Sequence, residues 1–269
     1  KNADFNHLKV LILDQAILED TTRTEQLLHF FQEEQDAAWN TYVMVTKEPL
    51  KDIFSEDLKL PESLGIYLED LLEEWEDVRQ GAQVTVGTLM SQYYSRNETL
   101  CVPVLEISDA EEKPQIGGFC VLFGLQPMGE LSLREGEQLM LLQNNLKRYA
   151  FTMQDGTRFL LEQVQTEREI TAAVDEAGNQ YPVLTVTVRG NSTVSALSWD
   201  ADQEDQRQQG KQELADRLLT FLTTQQKEAG MDLANSFLLL AGQERSLWEQ
   251  YREEPAQYLS DLKIRLFVE

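Results

Sequence analysis

The sequence predicts an α+β protein. An N-terminal α/β unit spans residues 1–108, and a C-terminal domain spans residues 109–269, with a meandering, mainly antiparallel sheet packed against helices. Three observations carry this reading. Up to Ile107, short apolar runs alternate with segments of helical period. The stretch Ser108–Pro114 (SDAEEKP) is polar, charged and closed by proline, which marks a boundary. From Lys147 to Trp199, strand-like runs succeed one another with turn residues between them, and helices come only afterwards.

In the first unit, His7–Asp14 (HLKVLILD) is an apolar run of strand length. Thr22 and Glu25 stand at capping-box spacing and predict a helix carrying Leu27, Leu28, Phe30 and Phe31. Trp39–Val45 reads as a strand with Tyr42 and Met44 on one side and Val43 and Val45 on the other. Pro49 is placed as a first-turn proline for a short helix over Leu50, Ile53 and Phe54. Pro61 opens another, in which Leu64, Leu68, Leu71, Leu72 and Trp75 recur at helical period. Its opposite face (Glu69, Asp70, Glu73, Glu74, Glu76, Asp77) reads as a solvated acidic surface rather than paired catalytic carboxylates. After a break at Gly81, Val86, Leu89, Met90 and Tyr93 predict one more short helix. Leu100–Ile107 returns as a strand in which Pro103 points to an edge or a bulge.

The segment Ile116–Leu131 organises the chain beyond this boundary. Apolar residues from Phe119 to Phe123, flanked by glycines, predict a buried strand. Gln126-Pro127 is read as the tight turn, and Met128-Gly129-Glu130-Leu131 as the start of the next strand, so that this hairpin opens the second domain. Ser132 and Glu135 form a second capping-box pair ahead of a helix through Gln138, Leu139 and Leu142. The runs RYAFTM, RFLLEQVQTERE, PVLTVTV and STVSALSW are then read as separate strands, divided by turns at Asp155-Gly156, Glu176–Asn179 and Arg189-Gly190-Asn191. A long helix over Gln206–Glu228 presents Leu214, Leu218, Phe221 and Leu222 on one face and stops at Gly230. Asp232–Leu240 and Ser246–Glu253 are shorter helices, and Leu262–Val268 closes the chain as a strand. The second domain is expected to bury Phe119, Val121 and Phe123 beneath the long helix, where Phe123→Ala would cost about 3–5 kcal/mol.

Charge narrows the function. The formal net charge is −24, and the 23 Lys and Arg are scattered singly, so no basic patch exists to hold nucleic acid and none is expected as a partner. Two cysteines, Cys101 and Cys120, each sit in an apolar run. They read as buried structural thiols or as one disulfide between neighbouring strands. No apolar run approaches the ~20 residues of a membrane-spanning helix. The chain starts at Lys1, which suggests a processed or trimmed start, so a missing signal peptide says nothing about compartment.

The search for chemistry yields no catalytic, cofactor-binding or metal-binding residues. Gly117-Gly118 belongs to no dinucleotide or phosphate loop, and neither a G-x-S-x-G elbow nor an H-E-x-x-H helix occurs. His7 and His29 lie at a strand edge and on a helix, as surface or packing residues. Asp200–Asp205 begins like a calcium loop, but Asp205 stands where the turn needs glycine and Lys211 where it needs a bidentate glutamate. Trp248, Tyr251 and Tyr258 are spaced to share one packed helical face.

Where the chemistry is silent, the order of motifs is not. Ile116-Gly117, Phe119, Val121 and Phe123, then Met128-Gly129, Leu131 and Glu135, resemble the start of the C-terminal domain of the Ger(x)C family, the lipoprotein C subunits of spore germinant receptors. His7–Leu13, the Leu27–Phe31 helix, Tyr42-Val43 and Lys51-Asp52-Ile53 resemble the family's N-terminal domain. Met231-Asp232-Leu233, Leu247-Trp248 and Leu262–Arg265 resemble its ending. The resemblance implies a non-enzymatic subunit that assembles with integral-membrane receptor subunits. It would be lipid-anchored to the outer face of the spore inner membrane through an N-terminal segment that this chain lacks. Two further readings stay open: an extracytoplasmic lipoprotein that binds a small nutrient in an apolar pocket between the domains, and a hydrolase whose nucleophile and base meet only in the fold.

Overall fold

The computed structural model describes residues 8–33, 39–55, 58–79, 84–95, 99–108, 110–195 and 203–269. Contacts divide the chain into two compact units, Lys1–Gly136 and Glu137–Glu269. The architecture is α+β, with one mixed sheet in each unit.

The first unit runs β1 (Val10–Asp14), α1 (Gln15–Glu19), α2 (Thr21–Glu33), β2 (Tyr42–Thr46), α3 (Leu50–Ile53), α4 (Leu64–Arg79), α5 (Val86–Ser95), β3 (Thr99–Ile107), β4 (Pro114–Phe123), β5 (Gln126–Ser132) and the start of α6 (Leu133–Leu142). Its sheet has the order β1-β2-β3-β4-β5. β1, β2 and β3 are parallel, and β3, β4 and β5 antiparallel. Both faces are covered. Val43, Val45, Val102, Cys120 and Leu122 pack with Leu28 and Phe31 of α2 and Leu89 and Met90 of α5. Met44, Leu105 and Ile116 pack on the other side with Ile53 of α3 and Leu68 and Leu72 of α4. The alternation in the Tyr42–Val45 segment is therefore the division between two cores.

Several local readings change. Helix α2 is capped by Asp20, whose carboxylate accepts from Arg23 N–H at 3.2 Å, and not by Thr22 with Glu25. Pro103 lies in an interior strand, and the β2 ladder begins just past it at Val104, where an N–H exists to donate. The bulge lies across from it, in β4. Val104 pairs with Gly118 and Leu105 with Ile116, so Gly117 is the extra residue and turns Ile116 to the opposite core from Cys120 and Leu122. A Cβ on Gly118 would lie 2.5 Å from the Leu131 backbone carbonyl, so that position requires glycine, whereas one on Gly117 would meet only the end of the Glu106 side chain, which can swing aside. The hairpin turn is Gly124-Leu125, with φ of 54° and 70°, rather than Gln126-Pro127. Two left-handed residues make the tight turn that matches strand twist. Leu125 tolerates this conformation because its side chain is buried in the core.

The larger correction concerns the hairpin's place. Expected to open a domain at residue 109, it pairs with β3 and completes the first sheet, and the unit ends at Gly136, within α6. Phe119 packs against Gly136 in that unit, where an added Cβ would come within 2.1 Å of the ring. Phe123 is 36% exposed. Phe119 and Val121 are buried, as expected, but all three residues belong to the first unit and not to the one that carries the long helix. By contrast, the second capping box forms as predicted: Ser132 N–H donates to Glu135 Oε2 at 2.8 Å, and Glu135 N–H to Ser132 Oγ at 3.3 Å.

The second unit continues with β6 (Arg148–Thr152), β7 (Arg158–Val174), β8 (Gln180–Ser195), α7 (Gln203–Thr223) extended by a π turn (Thr224–Glu228), α8 (Ser236–Gln243), α9 (Arg245–Tyr251), α10 (Pro255–Asp261) and β9 (Lys263–Val268). The sheet order is β6-β7-β8-β9; the first three strands form the antiparallel meander, and β9 joins β8 in parallel. Two expected strands merge into β8. At Arg189-Gly190-Asn191 the chain does not turn, because Gly190 sits in the ladder opposite a bulge in β7. A Cβ there would meet the Glu162 carbonyl at 2.8 Å. Glycine serves close approach, not reversal. Turns at Asp155-Gly156 and Glu176–Asn179 form as expected, with Gly156 and Gly178 at φ of 87° and 88°. Helix α7 lies on the sheet so closely that Gly210 meets the Phe159 ring. Leu214, Leu218 and Leu222 are fully buried along it.

The two phenylalanines give a direct check in chemical denaturation. Phe119, 1% exposed, is expected to cost about 3–5 kcal/mol on truncation to alanine, and Phe123 under about 1 kcal/mol. Equal losses at the two positions would contradict the assigned packing.

Candidate functional site

Chemistry-bearing side chains are dispersed through the fold. His29 is exposed on α2, its ring edge-on to Tyr93 at 6.3 Å, and His7 lies outside the described residues. Cys101 and Cys120 are free thiols on the adjacent strands β3 and β4. Burial pushes the Cys120 thiol up to about 11, and Cys101 higher still, so both are protonated and inert as nucleophiles near neutrality. Among the described residues, no group of three or more His, Cys, Asp or Glu is placed to hold a metal ion. Asp200, Ala201 and Asp202 of the calcium-like stretch lie outside the described residues. Glu204 and Asp205 stand in the first turn of α7, where the helix dipole favours them, and Glu204 pairs with Arg207 at 3.1 Å.

Trp248, Tyr251 and Tyr258 do not share one helix as expected. Pro255 starts a separate helix, α10, and Tyr258 is on it. The rings meet across three helices: Phe237 of α8 lies 4.7 Å from Trp248 and 5.1 Å from Tyr258, and Tyr251 lies 5.8 Å from Tyr258. Tyr258 is fully buried and Tyr251 buried, while Phe237 and Trp248 are half-buried, so the cluster packs from the core out to the surface.

Beside it sits a heavily bonded carboxylate. Asp232, where the sequence predicts the start of a helix, is instead the acceptor that caps α8. Oδ1 accepts from Ser236 N–H at 2.8 Å, Ser236 Oγ at 2.7 Å and Gln226 Nε2 at 2.9 Å, while Oδ2 accepts from Phe237 N–H at 2.7 Å. Asn235, in the left-handed region at φ 50°, lets the chain turn back over it. Gln226 comes from the π turn, so the irregular end of α7 delivers a buried amide to this knot. Arg168 of β7 donates to the Ala234 carbonyl at 2.8 Å. Burial pulls its pKa down and the Asp232 charge opposes the fall. With four donors satisfied on one carboxylate, the arrangement locks the α7–α8 corner and offers no open position to a substrate.

Two concavities lie in the first unit. One, of about 270 Å³, is walled by Lys47, Glu106, Gly117, Gly118 and Glu130, with Lys47 and Glu130 ion-paired. The other, of about 530 Å³, runs along β1 between α3 and the start of α4. Its walls are apolar (Val10, Ile12, Leu50, Leu64), and Phe54 and Ile66 stand at its mouth 62% and 50% exposed. A Lys9–Glu69 ion pair at 2.9 Å marks its rim. Among the described residues no helix is long and apolar enough to cross a membrane. The sequence does not announce this groove. Phe54 has the spacing of a helix-face residue, and only the fold shows that it stands exposed.

Comparison with known proteins agrees with the reading from motif order. Residues 1–107 match the family model of the spore germination protein N-terminal domain. Among solved structures, the chain superposes on the crystal structure of the GerBC protein with a TM-score of 0.73 and 13% identity, over 97% of this chain and 78% of that one. No curated protein matches by sequence.

The aromatic cluster generates a pH prediction. Burial, helped by a 2.8 Å hydrogen bond to the Asp261 carboxylate, pushes Tyr251 from an ordinary value of 10.0 up to about 12. Above pH 10 the unfolded chain loses this proton and the folded one keeps it. Stability contributed by Tyr251 is thus fully present below pH 10 and is lost as pH rises toward 12. Unfolding free energies of Tyr251→Phe should fall less steeply than wild type across that window; parallel slopes would refute the assignment.

Proposed function

We propose, for a Ger(x)C-type chain whose first 107 residues belong to the spore germination protein N-terminal domain family, that it is the non-enzymatic C subunit of a nutrient-sensing germinant receptor. The observation that carries this is the family match over the first unit, supported by a whole-chain fold shared with GerBC. Such a subunit assembles with integral-membrane subunits at the spore inner membrane. It is held at the outer face by a lipid anchor.

The internal chemistry is compatible with an assembly role. Among the described residues, both thiols are protonated, Asp232 is bonded by four donors, and His29 is exposed with its ring against Tyr93. Direct binding of a small nutrient calls for polar groups converging inside a concavity. The larger concavity offers aliphatic and aromatic side chains, with its ion pair at the rim. The assembly reading is carried by the family match and the shared fold.

The test is a clean deletion in the source organism, scored for nutrient-triggered germination of purified spores. The expected result is loss of the response to one nutrient class with germination by a non-nutrient trigger intact. Unchanged germination to every nutrient, in a strain also cleared of paralogous receptors, would overturn the proposal.

A further inference from the structure

The first unit's sheet has two edges, and only one of them is defended. β5, at one end, carries Pro127 and a bulge at Met128, and its Glu130 is tied to Lys47. In the second unit, β6 opens with the charged Arg148, and β9 alternates Lys263 and Arg265 with apolar residues. Prolines, bulges and lysines of this kind are how sheet edges are kept from pairing with other chains. In β1 the charges stand only at the two ends, Lys9 just before it and Asp14 at its close, and the run between them has no proline, bulge or charge. The strand's sequence is Val-Leu-Ile-Leu-Asp, and among the described residues no strand pairs with its outer side. The Tyr42 N–H donates to the Lys9 carbonyl at 2.9 Å, which sets the peptide groups of Lys9, Leu11 and Leu13 toward β2. By alternation, those of Val10 and Ile12 point outward.

The undefended edge adjoins the 530 Å³ apolar groove, and the two features suit one occupant. An added strand would pair with Val10 and Ile12. Its side chains on one face would enter the groove against Leu50, Leu64 and the exposed Phe54 and Ile66. Charge says what flanks it. Ile66, Glu69, Asp70 and Glu73 share one face of α4 by helical period, and Lys9 is paired with Glu69 and drawn also by Glu73, which leaves Asp70 for a cation of the partner. A second copy would bring the same acidic stripe, on a chain of net charge −24, and is disfavoured.

We infer that the β1 edge and the groove beside it dock an extended apolar segment of a partner protein, flanked by lysine or arginine, by β-strand addition. This rests on the assembly reading and names the surface through which it occurs.

The test places a photo-crosslinking residue at Ile66, at Phe54 or, as a control on the second unit, at the exposed Val174, in the full chain within spores. The expected result is an adduct from Ile66 and Phe54 and none from Val174, with the partner peptide apolar and bounded by basic residues. Ile66→Asp should remove the adduct at Phe54 while leaving thermal unfolding unchanged. An adduct with a second copy or with lipid, or none at either groove position, would overturn the inference. A deletion strain that loses nutrient response while no adduct forms would sink the groove alone and leave the receptor reading standing.

Discussion

The antiparallel pairing of β3 with β4 is the interaction on which the first unit depends. Without it the unit would be three parallel strands ending at β3, with Val102 and Leu105 at a bare edge. With it, the chain gains a strand whose residues from Phe119 to Leu122 are all buried, divided between the two faces of the sheet. A strand buried on both faces must place every side chain correctly, and a one-residue slip exchanges its faces. The Gly117 bulge performs that exchange deliberately. It turns Ile116 toward Met44 and Leu68 while Cys120 and Leu122 face Leu28 and Met90. The added strands also leave β1 at the end of the sheet opposite the defended β5 edge.

Much of this is legible in the sequence because period and punctuation are local. The alternation of Tyr42–Val45, the Ser132–Glu135 capping pair, the left-handed Gly156 and Gly178 and the stop at Gly230 each arise from a few adjacent residues. What cannot be read there depends on distant backbone. Gly190 beside Arg189 and Asn191 has the composition of a turn, and only the bulge opposite it makes it a strand residue. Leu125 has no propensity for a left-handed turn; its burial decides. SDAEEKP reads as a linker, yet it joins two strands of one sheet, a distinction that lies in pairing and not in composition. One discrepancy has a local signal after all: Pro255 at the first position of α10 announces a new helix, so the spacing from Trp248 to Tyr258 does not run along a continuous one.

The functional surface is less legible than the fold. Family resemblance comes from the order of weak structural motifs, and the family match over residues 1–107 and the GerBC fold agree with it. The same motifs name no site, because residues such as Phe119, Asp232 and Leu247 serve packing and capping. An apolar side chain on a short helix looks alike in sequence whether it is covered or bare. Phe54 and Ile66 become informative only once α3 and α4 place them together beside an undefended strand.

The central claim, that the hairpin closes the first unit instead of opening the second, is most directly tested by excision. Fragments ending at Gly136 and at Ser108 should be compared by chemical denaturation and amide hydrogen exchange. The longer fragment is expected to unfold cooperatively with β2 amides protected, and the shorter one to lack a cooperative transition. A fragment ending at Ser108 that folds as stably as the longer one would contradict the account.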